Sequence, residues 1–178
     1  RNQPKRGVEA SLEQELARKI KQHFEDGIKI DASTGTAIKQ FMKTGEYSKV
    51  FAKPSVKRVY RGMGVSWKWL EEALGEHRTK IPNIGSLTKR IAYTPRDGIS
   101  SSWSTDRKKA KSFGTSNSVY DGGYVIITAL SEENPAKLVS GPNGLYRVGK
   151  FASYDEEKEV VGFGKIKAFK IEWFMKTV

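Results

Sequence analysis

The chain has 178 residues, 37% of them hydrophobic and 11% aromatic, which is enough for one folded domain with a sizeable core and too apolar for a disordered tail. It has no cysteine, which excludes a disulfide framework, a thiolate zinc site and a cysteine nucleophile, and its two histidines, His23 and His77, are too few for most metal constellations. Lys and Arg outnumber Asp and Glu by 32 to 20, a net charge of +12 spread along the chain that favours anionic partners without choosing among nucleic acid, acidic proteins and phosphate-bearing ligands.

Ser11 and Gln14 have capping-box spacing. Leu12, Leu16, Ile20 and Phe24 recur every four residues and predict a helix stopped by Gly27. A second short helix is expected from Thr36 to Met42, ending near Gly45, and Pro54 closes the helical part. Val56–Met63 reads as a strand leading into glycine. Ser66 then caps a short amphipathic helix that carries Trp69, Leu70, Ala73 and Leu74 and stops at Gly75. Residues 75–100, with three glycines and two prolines, read as a long loop.

Asp106–Phe113 has the look of a short basic helix, and the remainder reads as β. Strands are expected at Tyr124–Leu130, Lys137–Val139, Glu157–Phe163 and Ile166–Met175. In the last, Phe169, Ile171, Trp173 and Met175 alternate on one face. The whole reads as a single α+β domain over residues 1–178, with a helical part at 1–55 leaning on a β-rich part at 56–178. No apolar run reaches the ~20 residues of a membrane span. No signal-peptide pattern opens the chain, and its start at Arg1 without methionine fits a fragment of a longer polypeptide.

Three segments place polar side chains on or beside apolar strands. In Tyr60-Arg61-Gly62, an arginine on the face of Val59 and Met63 points into a core or a cleft, where a guanidinium needs an anion; the ordinary alternative is a surface arginine before a turn. In Ser100–Asp106, four serine hydroxyls flank Trp103, as a ligand site or as helix-capping groups. In Tyr154–Val161, Glu157 and Glu159 share one face of a strand, as a carboxylate pair with divided roles or as a solvated acidic turn.

In this chain order the three segments resemble the arginine-serine-glutamate signature of mono-ADP-ribosyltransferases of the cholera/iota-toxin type. "VYRG" supplies Arg61, "SWS" with downstream Ala110 and Phe113 is similar to the family's Ser-Thr-Ser strand, and "EKEVV" supplies Glu157 and Glu159. The resemblance covers roughly residues 56–178. Trp103 stands where the family has its middle threonine, and the spacing to Ala110 and Phe113 favours Ser102 over Ser100 or Ser101.

The resemblance implies two small, mainly antiparallel sheets around an NAD cleft, and transfer of ADP-ribose from NAD with release of nicotinamide. It implies Glu159 as the catalytic carboxylate, Ser102 holding it, and Arg61 facing the phosphate and ribose region. Gly62 approaches the nicotinamide amide through its backbone, Phe113 stacks on nicotinamide, and Tyr154 recognises the target. Glu157, giving Glu-x-Glu, implies arginine on a protein as acceptor, with no metal required. It also implies a secreted or injected effector that acts in a target cell's cytoplasm, and nothing in the sequence demands more than a monomer. Two alternatives stand beside it: the same chemistry on nucleic acid or on a nucleic-acid-associated protein, and a non-catalytic basic module that binds nucleic acid, with Arg107–Lys111 as its densest run.

Overall fold

The computed structural model describes residues 15–16, 18–23, 26–43, 54, 56–140 and 159–177. The expected Ser11–Gln14 cap, Leu12 and Phe24 lie outside them, as do Tyr154 and Glu157. Within the first helical stretch, Leu16 and Ile20 are buried and Gly27 ends it in the left-handed region at φ 66°, its N–H on the His23 carbonyl at 3.0 Å. Helix α1, Ala32–Lys43, starts four residues earlier than the apolar spacing predicts. Its entry is set by Asp31, whose Oδ1 accepts from the Thr34 N–H at 2.8 Å. That bond and the Ser33 hydroxyl pull the Asp31 carboxyl down to about 2.

Strand β1 runs Arg58–Ser66 and passes directly into helix α2, Trp67–Leu74. Both predicted caps of α2 are present: Ser66 Oγ accepts from the Trp69 N–H, and Gly75 closes the helix at φ 68°. Residues 75–100 depart from the expected loop. They hold a short 3-10 turn at Arg78–Lys80 and then β2, Ile84–Tyr93, a ten-residue strand. β2 lies at the sheet edge with one neighbour, and most of its side chains meet water, so it shows little of the alternation that announces a half-buried strand.

β3 is Ser100–Ser104, and helix α3, Arg107–Ser116, follows with Asp106 as its cap. β4 is Gly122–Leu130, β5 Leu138–Ser140, β6 Glu159–Phe163 and β7 Ile166–Met175. All pairings are antiparallel, and the strands form one sheet in the order β2-β7-β4-β1-β3-β6-β5. The coarse α+β class therefore holds, while the expected two sheets are a single hydrogen-bonded one. Its two wings meet at β1 and β3, which pair at one position only, Tyr60 with Ser104.

The core is two apolar clusters, and the larger one spans both wings, joining Trp103 of β3 and Val160 of β6 to residues of β1, β4 and β7. Val59, Val65, Trp67, Leu70, Trp103, Val125, Ile127 and Trp173 belong to one cluster, and Leu16, Ile20, Ile38, Met42, Val139, Val161 and Phe163 to the other. The predicted inward row of β7 breaks at Phe169. Lys170 pairs with Thr128 and Ala168 with Ala129, leaving Phe169 as an extra residue, a bulge that reverses the strand's phase. Ile166 and Ala168 point inward before it and Ile171, Trp173 and Met175 after it.

Helix α3 is tied to the sheet by a two-pronged ion pair, Arg107 Nε to Glu172 Oε1 at 3.1 Å and Nη2 to Oε2 at 2.5 Å. The hydrogen bonds from Arg107 hold the Glu172 carboxyl below its ordinary value. A depressed folded-state value means the stabilisation is present above the ordinary 4.5 and fades as pH falls through the folded value. Glu172→Gln is therefore expected to cost about 1 kcal/mol near pH 7, the charged bonds being discounted for partial exposure. Denaturant titrations of both chains across pH should show the gap closing below pH 4.5. A gap independent of pH would disprove the ionic origin.

Candidate active site

A cleft of about 590 Å³ opens where β1 and β3 part. Its lining includes Arg61, Gly62 and Gly64 of β1, Tyr93 at the end of β2, Arg96, Ser102 of β3, Phe113 of α3 and Glu159 at the start of β6. That volume lies within the roughly 300–1,000 Å³ of ordinary ligand sites.

Register places the hydroxyl and the carboxylate together. Ser102 stands opposite Val161 and Ser104 opposite Glu159, so Ser102 and Glu159 are diagonal neighbours on one face. Ser102 Oγ donates to Glu159 Oε1 at 2.7 Å. The intervening Trp103 points to the other face. It is 2% exposed, donates its indole N–H to Ser101 Oγ at 2.8 Å and lies tilted against Tyr93 at 5.9 Å. The bulky residue in the middle of Ser-Trp-Ser thus fills a core position and leaves the site's hydroxyl untouched. Ser101 is engaged by that indole, which leaves Ser102 as the serine bonded to Glu159.

Arg61 closes the gap between the wings. Its Nη1 donates to the Ser102 main-chain carbonyl at 2.8 Å, and the guanidinium lies 4.8 Å over the Tyr93 ring. Its Nε is buried without a hydrogen-bond partner. A guanidinium over an aromatic ring at the edge of a cleft, with a donor left over, suits an anionic ligand group. Tyr93 and Arg96 escape the sequence reading because both fall in the segment read as loop. The cue is Tyr93-Thr-Pro-Arg96-Asp-Gly98, where the Pro95 carbonyl accepts from Gly98 N–H at 3.0 Å and Gly98 turns at φ 71°. That turn sets Arg96 on the lining of the cleft.

Phe113 lines the cleft with 44% of its surface exposed, an aromatic face open to a planar ligand. Gly62 lines it too, yet its missing Cβ serves the helix: a methyl group there would overlap the Ala110 carbonyl and lie 2.9 Å from the Gly114 nitrogen. Small residues on both elements let α3 lie backbone to backbone on β1, which brings Phe113 to the cleft. The two histidines have local roles, His77 accepting from the Thr79 N–H at 3.2 Å and His23 donating to the Ile28 carbonyl at 2.9 Å. Among the described residues no group of three or more His, Asp or Glu side chains is arranged for a metal, and no helix is long and apolar enough to cross a membrane.

Comparison with family models, with curated proteins and with solved structures returns no match for this chain. The functional reading therefore stands on the geometry of the cleft and the chemistry of its residues.

Proposed function

We propose that the chain transfers ADP-ribose from NAD to an arginine side chain of a target protein, releasing nicotinamide. The observation that carries the reading is the Ser102–Glu159 hydrogen bond at 2.7 Å, in the same cleft as Arg61. Breaking the N-glycosidic bond sends its electrons to the nicotinamide nitrogen and leaves positive charge on the ribose. A fixed carboxylate beside that sugar stabilises the charge as it develops. Glu159 is the group assigned to this task, and Ser102 fixes its rotamer. Arg61 and Arg96 provide two guanidinium groups for the diphosphate, and Phe113 an aromatic face for nicotinamide.

The cleft of the proposed reaction lies in a single seven-stranded sheet, at the place where β1 and β3 part. An effector's life, secreted or injected and acting in a target cell's cytoplasm, belongs to the same proposal.

The test is nicotinamide release from NAD by the purified chain, followed by mass-spectrometric mapping of the modified residue in a lysate. No release above the uncatalysed rate would end the reading. Acceptor choice rests on Glu157. A guanidinium is charged and a poor nucleophile, so a second carboxylate must orient it and take the proton it loses as its nitrogen bonds to the ribose. Glu157→Gln is expected to keep at least about half of the NAD hydrolysis while transfer to arginine falls about 100-fold or more. Equal loss of both activities would remove Glu157 from acceptor selection.

A further inference from the structure

Lysines from four parts of the fold converge around the turn between β6 and β7. Lys39 and Lys43 come from α1, Lys137 from the segment entering β5, Lys165 from the turn itself and Lys167 from β7. Lys137 Nζ donates to the Lys165 carbonyl at 2.7 Å, and Lys39 Nζ lies 3.3 Å from where a Cβ on Gly164 would stand. The main chain binds these segments together, Phe163 N–H to the Lys137 carbonyl and Gly164 N–H to the Ile99 carbonyl, both at 2.8 Å.

Burial, and after it the charges of Lys167, Lys39, Lys165 and Lys43, push the Lys137 ammonium below the ordinary lysine value. Among the described residues none of the five has a carboxylate within ion-pair distance. Glu133, in the segment that leads to Lys137, faces Arg90 instead. Gathered like charges repel, and an external anion relieves that repulsion.

We propose that this lysine cluster docks the phosphate backbone of a nucleic acid. A protein partner is disfavoured because protein interfaces are poor in lysine and rest on buried aromatic or arginine anchors, whereas the described residues that form this cluster are all lysines. An anionic membrane is disfavoured because, among the described residues, the exposed large hydrophobics Ile28, Val56, Ile84, Leu87, Phe113 and Tyr120 all lie on other segments. Lysine ammonium groups are point charges that position phosphate without reading base edges, so binding here is independent of sequence. The basic run of α3 is the weaker candidate: Arg107 is taken up by Glu172, and Lys111 lies over Phe174 at 5.6 Å. The proposal stands apart from the NAD reading and survives or fails without it.

The experiment is fluorescence anisotropy of labelled random-sequence RNA and duplex DNA between about 50 and 200 mM salt. Lys137→Gln/Lys165→Gln/Lys167→Gln should weaken binding more than about tenfold at the lowest salt and flatten the salt slope by roughly 2. Lys68→Gln/Lys108→Gln/Lys176→Gln, which removes equal charge from exposed positions elsewhere, should lose less than about threefold. Equal losses in the two variants, an unaffected cluster variant, or capture by phosphatidylserine vesicles with the same lysine dependence would each overturn the proposal. Should thermal melts show the cluster variant misfolded, Lys39→Gln/Lys43→Gln on α1 carries the test with the same criteria. Nicotinamide release is expected to be unchanged in the cluster variant.

Discussion

Glu159→Gln should lower nicotinamide release by about 10²–10³-fold, with little change in the KM for NAD. The substitution is nearly isosteric, and the amide oxygen can still accept from Ser102 Oγ, which now reaches Glu159 Oε1 at 2.7 Å. What disappears is the negative charge. If that charge acts on cationic character that exists only in the transition state, the loss falls on kcat and leaves ground-state binding nearly intact. Ser102→Ala, which removes only the group that orients the carboxylate, should lose about tenfold. Initial rates and a circular-dichroism melt for each variant provide the check. A Glu159→Gln enzyme retaining more than about a tenth of parental turnover, with its fold intact, would show that the carboxylate is not the stabilising group.

The second large effect concerns stability. A methyl group on Gly64 would overlap the Asn117 main-chain carbonyl oxygen and stand 2.8 Å from its carbon. The two nearest atoms are backbone at the end of α3, so movement of the Val119 side chain, 3.3 Å away, gives no relief and the helix end itself must move. Gly64→Ala is expected to cost at least ~3 kcal/mol, above the usual range for overpacking because backbone is displaced. For a chain of this size that is roughly 10 °C in Tm. Gly98→Ala is the control: Gly98 has φ 71° but nothing within 4 Å of its would-be Cβ, so only the left-handed backbone is strained, at about 1–2 kcal/mol. Melting temperatures decide the matter, and a Gly64→Ala protein melting within about 2 °C of the parent would refute the close approach of α3 to β1.

How much of this can be read before the fold is known depends on where the determining contacts lie. The bounds of α2 are legible because Ser66 and Gly75 are local signals, a hydroxyl for the first N–H groups and a left-handed closing turn. Ser102 and Glu159 are expected as a pair only through the family resemblance, the spacing to Ala110 and Phe113 choosing among the serines, and the β3–β6 register accounts for their meeting. β2 is hidden because its partner among the described residues, β7, lies some eighty residues further on and its outward positions carry no apolar rhythm. The phase of β7 is hidden for a related reason, since the bulge at Phe169 exists only in relation to Ala168, Lys170 and their partners on β4. Gly62 is a half-read case. Its lack of a Cβ is evident in the sequence, but the need for it comes from Ala110, a helix residue whose position on the sheet no local pattern reveals.

The single meeting point of Tyr60 and Ser104 gives the molecule an unusual interior edge. Most sheets offer unpaired main chain only at their periphery, where it invites aggregation. Here the parting in mid-sheet sets peptide groups of Arg61–Gly64 against a hollow flanked by helix α3. A guest settled there meets amides and carbonyls common to every residue type. Drift in the surrounding side chains would then reshape the threshold long before it altered the floor.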